Sequence, residues 1–197
     1  MLSYNEIKER KYIILGGDPY EVLKSQVSRK QAQKPTNQTK LRNLISQNVV
    51  EKNFHSSENV EEAEVFRKKA FYIFPKFNRQ TSLNEYWFHD TKDKSNRYMI
   101  PAKIIEEKIK FIKENSEIEL LMFEDDDGNE IPISVVLPIK IKLKVVEAPP
   151  AVKGNTATGA NKLVVTETGL TVTTPIFINE GDYIIVNTTT GAYVERG

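Results

Sequence analysis

A chain of 197 residues, 39% hydrophobic and 28% charged, has room for one large globular unit or two to three small ones, and it is too apolar for wholesale disorder. It contains no cysteine, which excludes a disulfide framework, a thiolate nucleophile and a cysteine metal site. The N-terminal "MLSYNEIKER" has no apolar signal core, and no apolar run reaches the roughly 18 residues of a membrane span, so the chain reads as cytoplasmic, mature from Met1 and without a membrane partner.

Short strands dominate from the start. "KYIILGGDPYEVLKSQV" carries an apolar run, a turn at Gly16-Gly17-Asp18-Pro19 and an alternating continuation, the pattern of a hairpin. The next stretch, "SRKQAQKPTNQTKLRN", holds five basic residues in sixteen, no acidic one, and only Ala32 and Leu41 as apolar side chains. Such a run is expected to project into solvent or lie against a negatively charged partner, because it cannot bury enough apolar surface to offset the entropy of ordering. The net charge of +1 hides this unevenness: seven Lys or Arg and one acidic residue, Glu51, lie between Lys24 and Lys52, while "SENVEEAE" follows at once. A local surplus of that size can neutralise phosphates. "TKLRNLIS", "NVVEKNF" and "AEVFRKKAFYIF" continue the strand pattern, with a first boundary near residue 64.

The middle of the chain opens with "IFPKFNRQTSLNEYW". In "PAKIIEEKIKFIKEN", Pro101 is predicted at the first helical position, and Ile104, Ile105, Ile109 and Ile112 make one apolar side for core packing. "SEIELLMF" and the turn "EDDDGNE" precede "IPISVVLPIKIKLKVVEA", where Ile139, Ile141, Leu143 and Val145 alternate with Lys140, Lys142 and Lys144, a half-buried strand with a basic outer face. A second boundary falls near residue 137. The last third is rich in Val, Ile and Thr, with Gly169, Gly181 and Gly191 spaced as turns of a small all-β barrel or sandwich.

No catalytic constellation emerges: there is no nucleophile elbow, Walker A sequence or dinucleotide fingerprint, and the chain reads as a non-enzyme needing no cofactor. Asp125, Asp127 and Asn129 begin with the spacing of a calcium loop, but Glu130 stands where glycine is required and Val136 where a bidentate glutamate is required, so Asp127-Gly128 reads as a hairpin turn. His55 and His89 have no ligand partner at metal spacing. Three basic features remain: Ser28 to Asn43, the lysine-lined strand, and "VKGNTATGANK", Val152 to Lys162, whose small hydrogen-bonding residues suit close approach to a sugar-phosphate chain. Together they point to RNA.

"VKGNTATGANK" resembles the L-K-G-D-T-A-T-G-G segment of bacterial translation elongation factor P, and the following residues keep that family's spacing at Lys162, Val164, Gly169, Val172, Pro175, Ile178 and Gly181. "GGDPYEVLKSQV" and "TKLRNLISQNVVEKNF" are similar to the family as well. The resemblance implies an SH3-like barrel (1–63) followed by two OB-type barrels (64–136 and 137–197) in an elongated L, a monomer that binds the 70S ribosome, ribosomal RNA and peptidyl-tRNA and relieves stalls at consecutive prolines. It implies that Arg29, Lys30, Gln31, Ala32, Gln33 and Lys34 form the loop reaching the CCA end of peptidyl-tRNA. It implies that Lys153, Gly154, Asn155, Thr156, Ala157, Thr158 and Gly159 form a ribosome-binding loop near the messenger. In gap-free register the family's Lys-Pro-Gly-Lys-Gly tip falls on Arg29 to Gln33, so Ala32 stands at the position of the modified lysine, with Lys30 and Lys34 two residues to either side. Asn155 replaces the family aspartate, Ala160 replaces the last glycine, and the middle hairpin is longer than usual. A general single-stranded RNA-binding protein with a regulatory role is the alternative that basic OB-type barrels also allow.

Overall fold

The computed structural model describes residues 1–29, 34–150 and 161–197, and these form three antiparallel sheets and one short helix. The first sheet contains β1 (Leu2–Ser3), β2 (Tyr12–Leu15), β3 (Asp18–Ser28), β4 (Thr36–Asn43), β5 (Val49–His55) and β6 (Asn59–Glu62), in the order β1-β6-β2-β3-β4-β5. Gly16 and Gly17 alone make the β2–β3 turn, both at positive φ (61° and 86°), as a tight turn matched to strand twist requires. Asp18 and Pro19, predicted as part of that turn, instead open β3, with Pro19 at the strand start where its missing N–H costs least. Ile7, Ile13, Val22, Leu41 and Phe54 fill the core.

The second sheet contains β7 (Val65–Asn78), β8 (Leu83–Asp90), β9 (Arg97–Pro101), β10 (Glu117–Glu124) and β11 (Glu130–Val136), in the order β11-β10-β7-β8-β9. The third contains β12 (Lys140–Glu147), β13 (Asn161–Thr166), β14 (Thr171–Pro175), β15 (Tyr183–Asn187) and β16 (Tyr193–Arg196), in the order β14-β13-β12-β15-β16. Numbered from its own first strand, each five-stranded sheet reads 5-4-1-2-3 or its reverse, with the first strand central. This is the five-stranded Greek-key arrangement of an OB-type barrel, repeated in one chain, and the fold is all-β as the sequence implied.

The helix α1 (Ala102–Ile109) is shorter than its pattern predicts. Pro101 is not its first helical residue but its extended N-cap (φ −66°, ψ 151°), the last residue of β9. After Ile109 the N–H groups of Phe111 and Ile112 bond to carbonyls three residues back, tightening the last turn. The reason is packing: Ile112 belongs to the core of the second sheet and Phe111 to that of the third. A regular helix would not serve both. The isoleucine side does pack as core, with Ile105 buried and Ile104 and Ile109 against it.

Along β12, Leu143 and Val145 are buried and the lysines point out, but Ile139 precedes the strand and is 72% exposed, outside the predicted alternation. The first and second sheets meet at an apolar seam of Leu44, Ala63, Phe123 and Ile133.

Candidate nucleic-acid interface

The basic stretch is not one solvent-projecting loop. Its second half, from Thr36, is β4, and alternate residues Asn37, Thr39, Leu41 and Asn43 are buried. A polar strand can lie against a core when each buried group finds a partner. Asn37 Nδ2 donates to the carbonyls of Tyr4 (2.6 Å) and Ile7 (2.9 Å), and Ser25 Oγ lies 2.7 Å from the Ile7 carbonyl and 3.0 Å from Asn37 Oδ1. Thr39 Oγ1 donates to the Lys52 carbonyl at 2.8 Å. Asn43 Nδ2 donates to Asp18 at 2.8 Å, while its Oδ1 accepts from the N–H groups of Ile45 and Ser46. Sequence reading missed these residues as structural because they are polar. The period-two run N-Q-T-K-L-R-N was the available signal.

The outer side of the same hairpin carries the charge. Lys24 is paired in register with Lys40 and Gln26 with Gln38, and with Glu51 and Asn53 of β5 they line a shallow polar groove of about 400 Å³. Two lysines directly opposite each other repel, and Glu51 stands opposite Lys40 on its other side. Ser28 pairs with Thr36, so the strip leads to the tip, where Arg29 and Lys34 are exposed. Lys30, Gln31, Ala32 and Gln33 lie outside the described residues. The Lys153, Gly154, Asn155, Thr156, Ala157, Thr158 and Gly159 segment does also; it connects β12 to β13.

The other candidates resolve into structure. Asp125 accepts hydrogen bonds from the N–H groups of Asp127 and Asn129 and from Asn129 Nδ2, and these bonds hold its carboxyl below the usual range; Gly128 makes the turn at φ 79°. His89 lies against Phe71 and His55 is exposed at the end of β5. On the basic strand, Lys142 sits over the Tyr183 ring at 4.8 Å and Lys140 pairs with Glu195 at 3.3 Å.

Residues 3–60 match the "Elongation factor P (EF-P) KOW-like domain" and residues 141–196 match "Elongation factor P, C-terminal". The elongation factor P of Thermosipho africanus is 36% identical over 196 residues, covering 100% of both chains. This chain belongs to the elongation factor P family. The family's protein from Natranaerobius thermophilus is likewise 36% identical, over 100% of this chain and 98% of its own. Membership of the elongation factor P family makes the chain a translation elongation factor. The structure of eukaryotic translation initiation factor 5A from Methanococcus jannaschii aligns with a TM-score of 0.52 at 16% identity, covering 68% of this chain and 92% of its own, a likeness of fold. The elongation factor P signature in the last third also acquires a physical meaning here. Val164, Val172 and Ile178 are fully buried, and Gly169 and Gly181 turn at positive φ, so the signature mainly secures the third barrel.

Proposed function

We propose that this factor binds the ribosome beside peptidyl-tRNA, in the cytoplasm and as a monomer, and stimulates peptide-bond formation at consecutive prolines by positioning the CCA end. The observation that carries the reading is the Lys24–Lys40 pair on the outer face of β3 and β4, leading to Arg29 and Lys34. Like charges held opposite each other weaken the free protein and are relieved by a phosphate backbone laid across them. The buried hydrogen bonds of Asn37 and Thr39 fix the direction in which the strip points. The three sheets serve as three domains, 1–63, 64–136 and 137–197, and residues 153–159 of the last one contact the ribosome.

The factor itself makes and breaks no covalent bond. Proline is a poor donor and acceptor, and restraining the CCA end near its attack geometry recovers orientational entropy, which in favourable intramolecular reactions amounts to about 7–11 kcal/mol at the limit. With Ala32 at the position of the family's modified lysine, Arg29, Lys30 and Lys34 supply charge over a wider span, and the tip works unmodified.

A reconstituted translation assay on a polyproline message tests this. Recombinant factor from a host without modifying enzymes is expected to relieve the stall, and the Arg29→Ala/Lys30→Ala/Lys34→Ala variant to lose that relief. If unmodified factor is inactive while native factor carries added mass on Lys30 or Lys34, the unmodified tip is wrong. Retained relief in the triple variant would overturn the role of the tip. Bulky replacements of Thr156 and Thr158 are expected to weaken ribosome binding, and unchanged affinity would remove the third-domain loop from the interface.

A further inference from the structure

The outer face of β7, β8 and β9 carries a set of aromatic side chains that the barrel does not use. Cross-strand register places Phe71 opposite His89, Phe74 opposite Trp87, and Trp87 opposite Met99. The Phe71 and His89 rings lie 5.4 Å apart, while the core rings Tyr72, Tyr86 and Phe88 occupy the other face. Phe74 is 41% and Met99 37% exposed. Trp87 is half-buried, but its Nε1 is shielded and has no hydrogen-bond partner among the described residues, so what the side chain shows to solvent is ring carbon. Two cations frame the rings, Lys76 at the hairpin end and Arg97 beside His89, both exposed and in no ion pair among the described residues. Of the acids on this side, Glu85 accepts a hydrogen bond from Asn78 at 2.6 Å, and Glu117 of β10, opposite Phe71, is paired with Lys69 at 2.8 Å.

The third sheet serves as an internal control. It has the same connectivity, and its equivalent outward positions on the first three strands include Lys140, Lys142 and Lys144 on β12, Leu163 on β13, and Thr171 and Thr173 on β14, with no ring among them; the ring beside these lysines, Tyr183, is on β15 and is covered by Lys142. The connectivity therefore does not require aromatics on the outer face of its first three strands. Rings interleaved with cations on the first three strands of such a barrel have the chemistry of a base-stacking platform: every base offers a π face, and the cations meet the backbone between bases.

We propose that this face binds single-stranded RNA by stacking unpaired bases on Trp87 and Phe74, with Arg97 and Lys76 on the flanking phosphates. The site is separate from the β3–β4 tip and independent of the function proposed for it. Trp87 is the sole tryptophan of the chain, so its emission reports on the site directly. Titrating the full chain with a twelve-nucleotide oligouridine or oligoadenosine at low salt is expected to quench that emission. Phe74→Ala and Arg97→Ala are each expected to weaken the titration about tenfold, the loss of one stacked base or strong contact, with unchanged melting temperature. The Arg29→Ala/Lys30→Ala/Lys34→Ala variant is expected to titrate like the parent, whatever it does to stalled ribosomes. Absence of quenching, as for a face that docks protein, overturns the proposal. So does quenching that survives both face variants or disappears with the tip variant.

Discussion

The β3–β4 and β7–β8 hairpins are built alike and held differently. Both are long, and each is bent by a bulge, between Val22 and Lys24 in one and between Tyr72 and Phe74 in the other. Beneath the first lie Ser25, Asn37 and Thr39, bonded to specific carbonyls; beneath the second lie Tyr72, Tyr86 and Phe88, with Tyr72 and Phe88 rings 5.3 Å apart. Apolar packing is non-directional and large, whereas a hydrogen bond in a dry site is modest in net energy but fixes an angle. The polar underside thus fixes the direction of the β3 and β4 strands, and the aromatic underside contributes more to holding its barrel together.

Breaking each underside should expose that difference. Phe88→Ala removes a fully buried ring and is expected to cost about 3–5 kcal/mol in denaturant unfolding. Asn37→Leu keeps the volume but leaves the Tyr4 carbonyl without its donor and the Ile7 carbonyl with Ser25 Oγ alone, and is expected to cost about 1–3 kcal/mol, below the aromatic deletion. An Asn37→Leu loss larger than that of Phe88→Ala would reverse the comparison.

Acid sharpens it further. The β7–β8 hairpin is also pinned by Lys68, whose Nζ lies 2.5 Å from Glu130 and 3.3 Å from Asp90. The Lys92 N–H holds the Asp90 carboxyl below its usual range against the opposing effect of burial, and Lys68 assists. A depressed folded-state pKa contributes stability that is present above the ordinary aspartate value of about 3.9 and is lost as pH falls through the lower folded value. Asp90→Asn should flatten part of the loss of stability below about pH 4, whereas the uncharged anchors Asn37 and Thr39 have no such limb. An unaltered acid limb in the Asp90→Asn protein would remove Asp90 from that role. The smallest effect belongs to the tip: Arg29→Ala/Lys30→Ala/Lys34→Ala is expected to shift unfolding by no more than about 0.5 kcal/mol. A larger drop would mean that these cations serve the barrel rather than a partner.

Much of this was legible in residue order. Alternation over residues 140–145 and 161–187, punctuated by glycines, marks strands because alternate residues face a core. The buried half of β4 was hidden because its inward residues are polar, and hydropathy does not distinguish a satisfied asparagine from a solvated one. The end of α1 was hidden because its pattern continues through Ile112, while Phe111 is drawn into a different core. Among the spaced signature residues, Val164, Val172 and Ile178 are buried and Gly169 and Gly181 are in turns, which is why that part of the resemblance was specific for fold. The polar network under the tip and the ring-bearing face of the second barrel depend on pairings across strands, and a linear pattern does not contain them.

The seam of Leu44, Ala63, Phe123 and Ile133 has a mechanical consequence. Only Ala63 and Glu64 separate β6 from β7, and Ala63 is itself buried in the seam, so the joint between the first two barrels has no slack to act as a swivel. Torque applied to the middle barrel is passed through this seam to the first sheet instead of being spent in a hinge. The pair behaves as one lever, and the span from the ring-bearing face to the Lys24–Lys40 pair is a ruler set by the fold.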